Sequence, residues 1–235
     1  MKNLLILLLF LTSMVSFSQE ITGEQLLEKA IQFHDPNNNW STFNGELFVT
    51  METLKSVPRE SNININIPKE YFSVTAKRDT IITEYIVDKD KISFSLNGDK
   101  NPSEELKKKY SLTKERANLY KNYYTYLYGL PMKLKDEGTI IDQKVERKTF
   151  KGKEYLVLKV NYSKEVGKDT WYFYFNPKTY AMEVYQFFKD TKDSGEYILL
   201  SGLETINDVK MPKVRAWYYN KSNGYLGTDI LSKIK

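Results

Sequence analysis

The stretch from Gly152 to Asp190, GKEYLVLKVNYSKEVGKDTWYFYFNPKTYAMEVYQFFKD, limits what this chain can become more than any other. Three runs rich in β-branched and aromatic residues are joined by a turn through Gly167 and by Asn176-Pro177-Lys178. Side chains alternate across a strand. The first run therefore sets Leu156, Leu158, Val160 and Tyr162 on one face, with Tyr155 and Val157 on the other. The second sets Trp171, Phe173 and Phe175 against Tyr172 and Tyr174. Strands apolar on both faces must be covered on both faces. The stretch predicts the spine of a large curved antiparallel sheet, with a helix or an apolar ligand over one side.

Period-two runs flank the spine. On the N-terminal side they are Phe43–Glu52, Ser61–Ile67 (SNININI), Tyr71–Ala76, Ile81–Val87 and Ile92–Leu96. On the other side lie Thr139–Phe150, Met182–Phe188, Tyr197–Leu203 and Lys210–Tyr219. Asp88-Lys89-Asp90, Asn97-Gly98 and Asn207-Asp208 are turn signals. Pro58 and Pro68 are expected between strands, and the Asn residues of SNININI on a solvent face that discourages edge pairing. About ten strands and two main helical segments give a mainly β fold, an unclosed barrel covered by helices, rather than a βαβ nucleotide-binding sheet.

Three segments read as helix. Thr22 and Gln25 form a capping box ahead of Leu26, Leu27, Ala30 and Ile31, and Asp35-Pro36 stops the run. A second helix starts at Asn101-Pro102, with Asn101 as its cap. The third runs from Thr113 to Tyr128 and ends at Gly129 and Pro131. Its apolar arc, Tyr120, Tyr123, Tyr124, Leu127 and Tyr128, is wider than one core stripe. It fits either plain packing on the sheet or a lid whose inner side lines a cavity.

Met1-Lys2-Asn3 followed by Leu4–Leu11 and Ser16-Phe17-Ser18 fits a secretory signal peptide over residues 1–18, cleaved between Ser18 and Gln19, with one domain over 19–235. Export to the periplasm, or secretion, is expected. No later run approaches the 18 apolar residues or so that a membrane-spanning helix needs.

With no cysteine and one histidine, disulfides, thiolate sites and multi-histidine metal sites are excluded. His34 is expected half-buried at the end of the first helix, where a cation suits the dipole. As a general base it would be the centre of a hydrolase, the least favoured alternative. Asp35 and Asn37–Asn39 offer oxygens to Ca²⁺, but the Gly and Glu of a calcium loop are missing. Net charge is +5, or +4 without Lys2, and the charges are interspersed, so no nucleic-acid stripe is present. No phosphate-binding, metallohydrolase or nucleophile-elbow motif occurs. No catalytic set, metal or cofactor is expected.

The segments "WSTFNGELFVTME", "IPKEYFSVTAKR" and "KTFKGKEYLVLKVNYS" through "WYFYFNPKTYAMEVYQFF", in that order around a helical insertion, resemble the LolA/LolB-like group of periplasmic lipoprotein carriers. The segments "HDPNNNW", "YKNYYTYLYGLPMKLKD" and "KMPK" are similar to a family of secreted Bacteroidota proteins. The resemblance implies a curved, unclosed barrel with helices over its apolar side, where relatives bind acyl chains. A lipid, a lipoprotein acyl chain or another apolar ligand is then the expected partner. Leu47, Val49, Ile63, Ile65, Leu156, Leu158, Trp171 and Phe173 are the candidate lining residues from the sheet, with Tyr123 and Tyr124 from the helix. Each could equally be plain core. In that case the chain is a structural or protein-interaction module of the cell envelope.

Overall fold

The computed structural model describes residues 20–191 and 193–232; the expected signal peptide and its cleavage site lie outside them. Among the described residues twelve antiparallel strands form one open sheet. They are β1 (Asn44–Thr53), β2 (Ser56–Asn66), β3 (Tyr71–Arg78), β4 (Ile81–Asp88), β5 (Lys91–Leu96), β6 (Thr139–Phe150), β7 (Lys153–Tyr162), β8 (Thr170–Phe175), β9 (Met182–Phe188), β10 (Glu196–Ile206), β11 (Val209–Tyr219) and β12 (Tyr225–Ser232). The spatial order is β5-β4-β3-β2-β1-β12-β11-β10-β9-β8-β7-β6. The chain thus makes two meanders, and β12 joins them through β1.

β12 is the strand that sequence periodicity misses. Its buried positions are Gly227, Asp229 and Leu231, so no apolar alternation marks it. Two further expectations change. Pro58 lies inside β2, beside the register shift between Met51 and Thr53, where a missing N–H is tolerated. β2 is also a central strand, paired to both β1 and β3, so its Asn residues guard no edge.

Three α-helices are present among the described residues. α1 (Gly23–His34) carries the expected capping box and lies on β6, β7 and β11. Burying its Leu26 and Leu27 is worth about 1.5–3 kcal/mol each. α2 (Glu104–Tyr110) is capped by Ser103 rather than Asn101, whose amide instead closes a turn onto Asp99. α3 (Lys114–Gly129) packs over β3, β4, β5 and β11. At its end Gly129 touches the Trp40 indole so closely that a Cβ would sit 2.3 Å from the ring. Gly129→Ala is therefore expected to lower stability by about 1–3 kcal/mol, read from the urea midpoint.

The main core fills the concave side between sheet and helices, and includes Leu158, Val160, Phe173 and Phe175. A smaller cluster, Tyr155, Val157, Tyr174 and Val184, sits on the convex side under Phe150, Tyr172 and Leu199. The two-faced reading of the spine holds residue by residue.

Candidate functional site

An apolar groove of about 730 Å³ runs between α3 and the concave face of the sheet. α3 supplies Leu119, Tyr123, Tyr126 and Leu127. The sheet supplies Trp171 of β8, Phe187 of β9 and Trp217 of β11. The β7–β8 loop closes one lip with Val166, Gly167 and Lys168. Helical spacing explains the wall: positions 119, 123, 126 and 127 share one side of α3. Strand alternation explains the floor, because 171, 187 and 217 all point inward. The rings are ordered against each other. Trp171 stacks on Phe187 at 4.7 Å and Tyr123 on Trp217 at 6.3 Å, while Tyr126 meets Trp171 edge-on at 5.9 Å.

The polar groups of the groove are few. The Tyr126 and Tyr162 hydroxyls hydrogen-bond each other, and burial holds Tyr162 up at about 12 and Tyr126 well above the ordinary phenol range. Both stay protonated at neutral pH. The Lys133 ammonium pairs with Asp136 at the rim. Tyr123 donates to the Asp229 carboxylate at 3.3 Å beneath the floor. There Arg215 is fully buried, donating to the Pro212 and Leu127 carbonyls at 2.8 and 3.2 Å, with its guanidinium 4.0 Å from the Tyr128 ring centre. Burial pushes the Asp229 carboxyl above its usual range, against the pull of Arg215 and Arg59. The hydroxyls of Tyr128 and Tyr185 and the Nε of Arg215 have no protein hydrogen-bond partner within this cluster.

A second cleft of about 990 Å³ lies beside α1, but Glu20, Glu28, Lys29 and Arg147 line it and it is less apolar than the groove under α3. The groove under α3 is the better site for an apolar molecule.

The sequence candidates divide. Tyr123 and Trp171 border the groove. Leu47, Val49, Ile63, Ile65, Tyr124, Leu156, Leu158 and Phe173 lie in the packed core, with Ile65 and Leu156 also reaching clefts elsewhere. Leu119, Val166, Phe187 and Trp217 border the groove and were not picked from sequence, although Trp217 and Phe187 already stood out as strand aromatics.

His34 is fully buried and not the half-exposed cation expected. Its Nδ1 is 2.6 Å from the Lys210 carbonyl and its Nε2 accepts the Met182 amide at 3.0 Å. That pairing fixes the neutral tautomer with the proton on Nδ1. Burial, more than the nearby charges, lowers its pKa to about 4. Both ring nitrogens are occupied, so this imidazole has no lone pair to offer a substrate. Asp35 is likewise used: its carboxylate accepts the amides of Asn39 and Trp40 at 2.7 and 2.8 Å.

A family model matches residues 2–233. The chain belongs to DUF6503, a family of unknown function. Among solved structures, this DUF6503 chain is similar to a LolA superfamily protein from Nitrosomonas europaea, at 10% identity and a TM-score of 0.54 over 91% of this chain and 92% of that one. It is also similar to a domain from Vibrio parahaemolyticus assigned to outer membrane lipoprotein sorting, at 10% identity, TM-score 0.51 and the same coverage. A DUF1329 family protein from Desulfovibrio piger matches at 10% identity, TM-score 0.53, over 91% and 92%. No curated protein matches by sequence. At this identity the likeness is one of fold, and the DUF6503 chain has a LolA-like half-barrel.

Proposed function

We propose that this protein binds an apolar ligand, such as a lipid or a lipoprotein acyl chain, in the groove under α3, and carries it without covalent chemistry. The observation that supports this reading is the groove itself. About 730 Å³ lined by six aromatic rings stands open beside the packed core of the concave side. A monomer leaves little apolar surface exposed unless something uses it. Leu119 is 55% and Tyr123 36% exposed, both on this wall. Sequestering apolar surface from water would supply the affinity. The leader-like residues 1–18 fit a protein working outside the cytoplasm, in the periplasm.

Two of the three tryptophans, Trp171 and Trp217, border the groove and report on it directly. Titration with a fluorescent fatty acid is expected to quench them saturably, and native mass spectrometry after mild purification should show bound lipid. Leu119→Glu places a charge in the groove wall and is expected to weaken uptake at least ten-fold while leaving the urea midpoint unchanged. No quenching and no co-purifying lipid would refute the carrier reading. The filled core favours a second reading, an envelope interaction module. Recovery of a protein partner that binds the wild type and Leu119→Glu equally, with the groove empty, would establish it instead.

A further inference from the structure

The two rims of the half-barrel differ in a way that cargo binding does not explain. All neighbouring strands are antiparallel, so alternate connections fall on opposite rims. The pairs Thr53 with Ser56, Arg59 with Arg78, Tyr218 with Tyr225, Glu196 with Tyr219 and Thr170 with Phe188 place the β1–β2, β3–β4, β11–β12, β9–β10 and β7–β8 connections together on one rim. Six of the ten large apolar side chains exposed among the described residues lie there: Leu54 (76%), Val57 (57%), Ile82 (38%), Ile140 (54%), Val166 (57%) and Tyr219 (49%). The turns of the opposite rim, at 67–70, 89–90, 176–181 and 207–208, carry none of the ten, and the nearest is Leu203 of β10, four residues before the last of them. Exposed apolar residues scattered singly need no account. The gathering of six on one rim does.

Charge sharpens the picture at two adjacent turns. β1 pairs with β12, so the β1–β2 and β11–β12 turns are neighbours. Residues 54–58 (LKSVP) and 220–224 (NKSNG) contain Lys55 and Lys221 and no acid. Both lysines are exposed. Apart from Val166 at the lip of the groove, these apolar side chains are spread around an arc and line no pocket, whereas a protein partner is held by a packed, desolvated centre. Isolated apolar anchors beside lysines suit the interface of a bilayer, where each anchor enters the acyl boundary and each ammonium meets a phosphate.

We propose that this rim docks on an anionic phospholipid surface, with Leu54, Val57 and Tyr219 as anchors and Lys55 and Lys221 as phosphate contacts. Docking would hold the groove to the bilayer, since Val166 to Lys168 form both part of the rim and one lip of the groove.

Co-sedimentation with phosphatidylglycerol/phosphatidylethanolamine vesicles, against phosphatidylcholine vesicles, tests this. The wild type is expected to bind the anionic vesicles preferentially. Leu54→Ser/Val57→Ser/Tyr219→Ser should weaken that binding at least ten-fold, and Lys55→Gln/Lys221→Gln should abolish the anionic preference. None of these residues borders the groove, so fatty-acid quenching of the tryptophans in vesicle-free buffer should be unchanged. Failure of the wild type to bind vesicles, or equal binding by the serine variant, overturns the proposal. Vesicle binding without fatty-acid quenching upholds the rim and refutes only the carrier reading.

Discussion

Replacing His34 with alanine is expected to lower the unfolding free energy by about 3–5 kcal/mol, measured by urea denaturation. The reason lies in where the sheet splits. The pairing of β10 with β9 stops at Leu199 and Val184, while β10 and β11 stay paired to Ile206 and Val209. Past that fork β9 parts from the β10–β11 hairpin, and the imidazole bridges the two. It donates to the Lys210 carbonyl of β11 and accepts from the Met182 amide of β9. Alanine strands two buried backbone groups and leaves a void. The same histidine sets a pH dependence. Its folded pKa is about 4, below the ordinary value of 6.5, so between those values the unfolded chain binds a proton that the folded chain refuses. Its contribution is complete above pH 6.5 and is lost as the pH falls to 4, by about 3 kcal/mol. Asp229, with a raised carboxyl pKa, acts in the opposite sense. The difference between wild-type and His34→Ala stability should therefore shrink from pH 7 to pH 4. A constant difference would mean that the imidazole titrates in the fold as it does in the unfolded chain.

That result bears on how much of the molecule was legible beforehand. The face assignments of β7 and β8 could be read because side-chain alternation is local, and the capping box because it spans four residues. The role of His34 could not be read: its partners lie 148 and 176 residues away. β12 was hidden for a related reason. Of its inward positions, Asp229 faces Arg215 in the buried polar cluster, and at Gly227 a Cβ would sit 2.7 Å from the Glu52 carbonyl oxygen. The groove was half legible. Tyr123 and Trp171 belong to strongly patterned segments, but whether an inward residue meets a helix or an opening depends on where α3 crosses the sheet. α3 lies over β3–β5 and β11, leaving the inward aromatics of β8 and β9 partly uncovered. No periodicity within a strand encodes that offset.

Arg215→Ala is the second change expected to cost about 3–5 kcal/mol, because it removes the buried positive charge that offsets Asp229 and unties a helix end. Arg215 and Asp229 face each other in register on β11 and β12, and both are buried. The guanidinium also accounts for the end of α3, since the Leu127 carbonyl lies in the last turn, where helical partners run out. Removing it leaves Asp229 buried among tyrosines with less compensating charge, and it opens a cavity beside Tyr128 and Tyr185. The decisive comparison is a cycle. Asp229→Asn alone should cost less, because the neutral amide still accepts from Tyr123, while the double variant Arg215→Met/Asp229→Asn should be less destabilised than the sum of Arg215→Met and Asp229→Asn. Methionine refills the space and no charge is left unpaired. Strict additivity, with the double variant as unstable as the sum of its parts, would show that the two groups do not act across the strands. Because Tyr123 bridges this cluster to the groove floor, Arg215→Met/Asp229→Asn should also shift the ring of Tyr123 against Trp217. The check is whether tryptophan emission changes before any ligand is added.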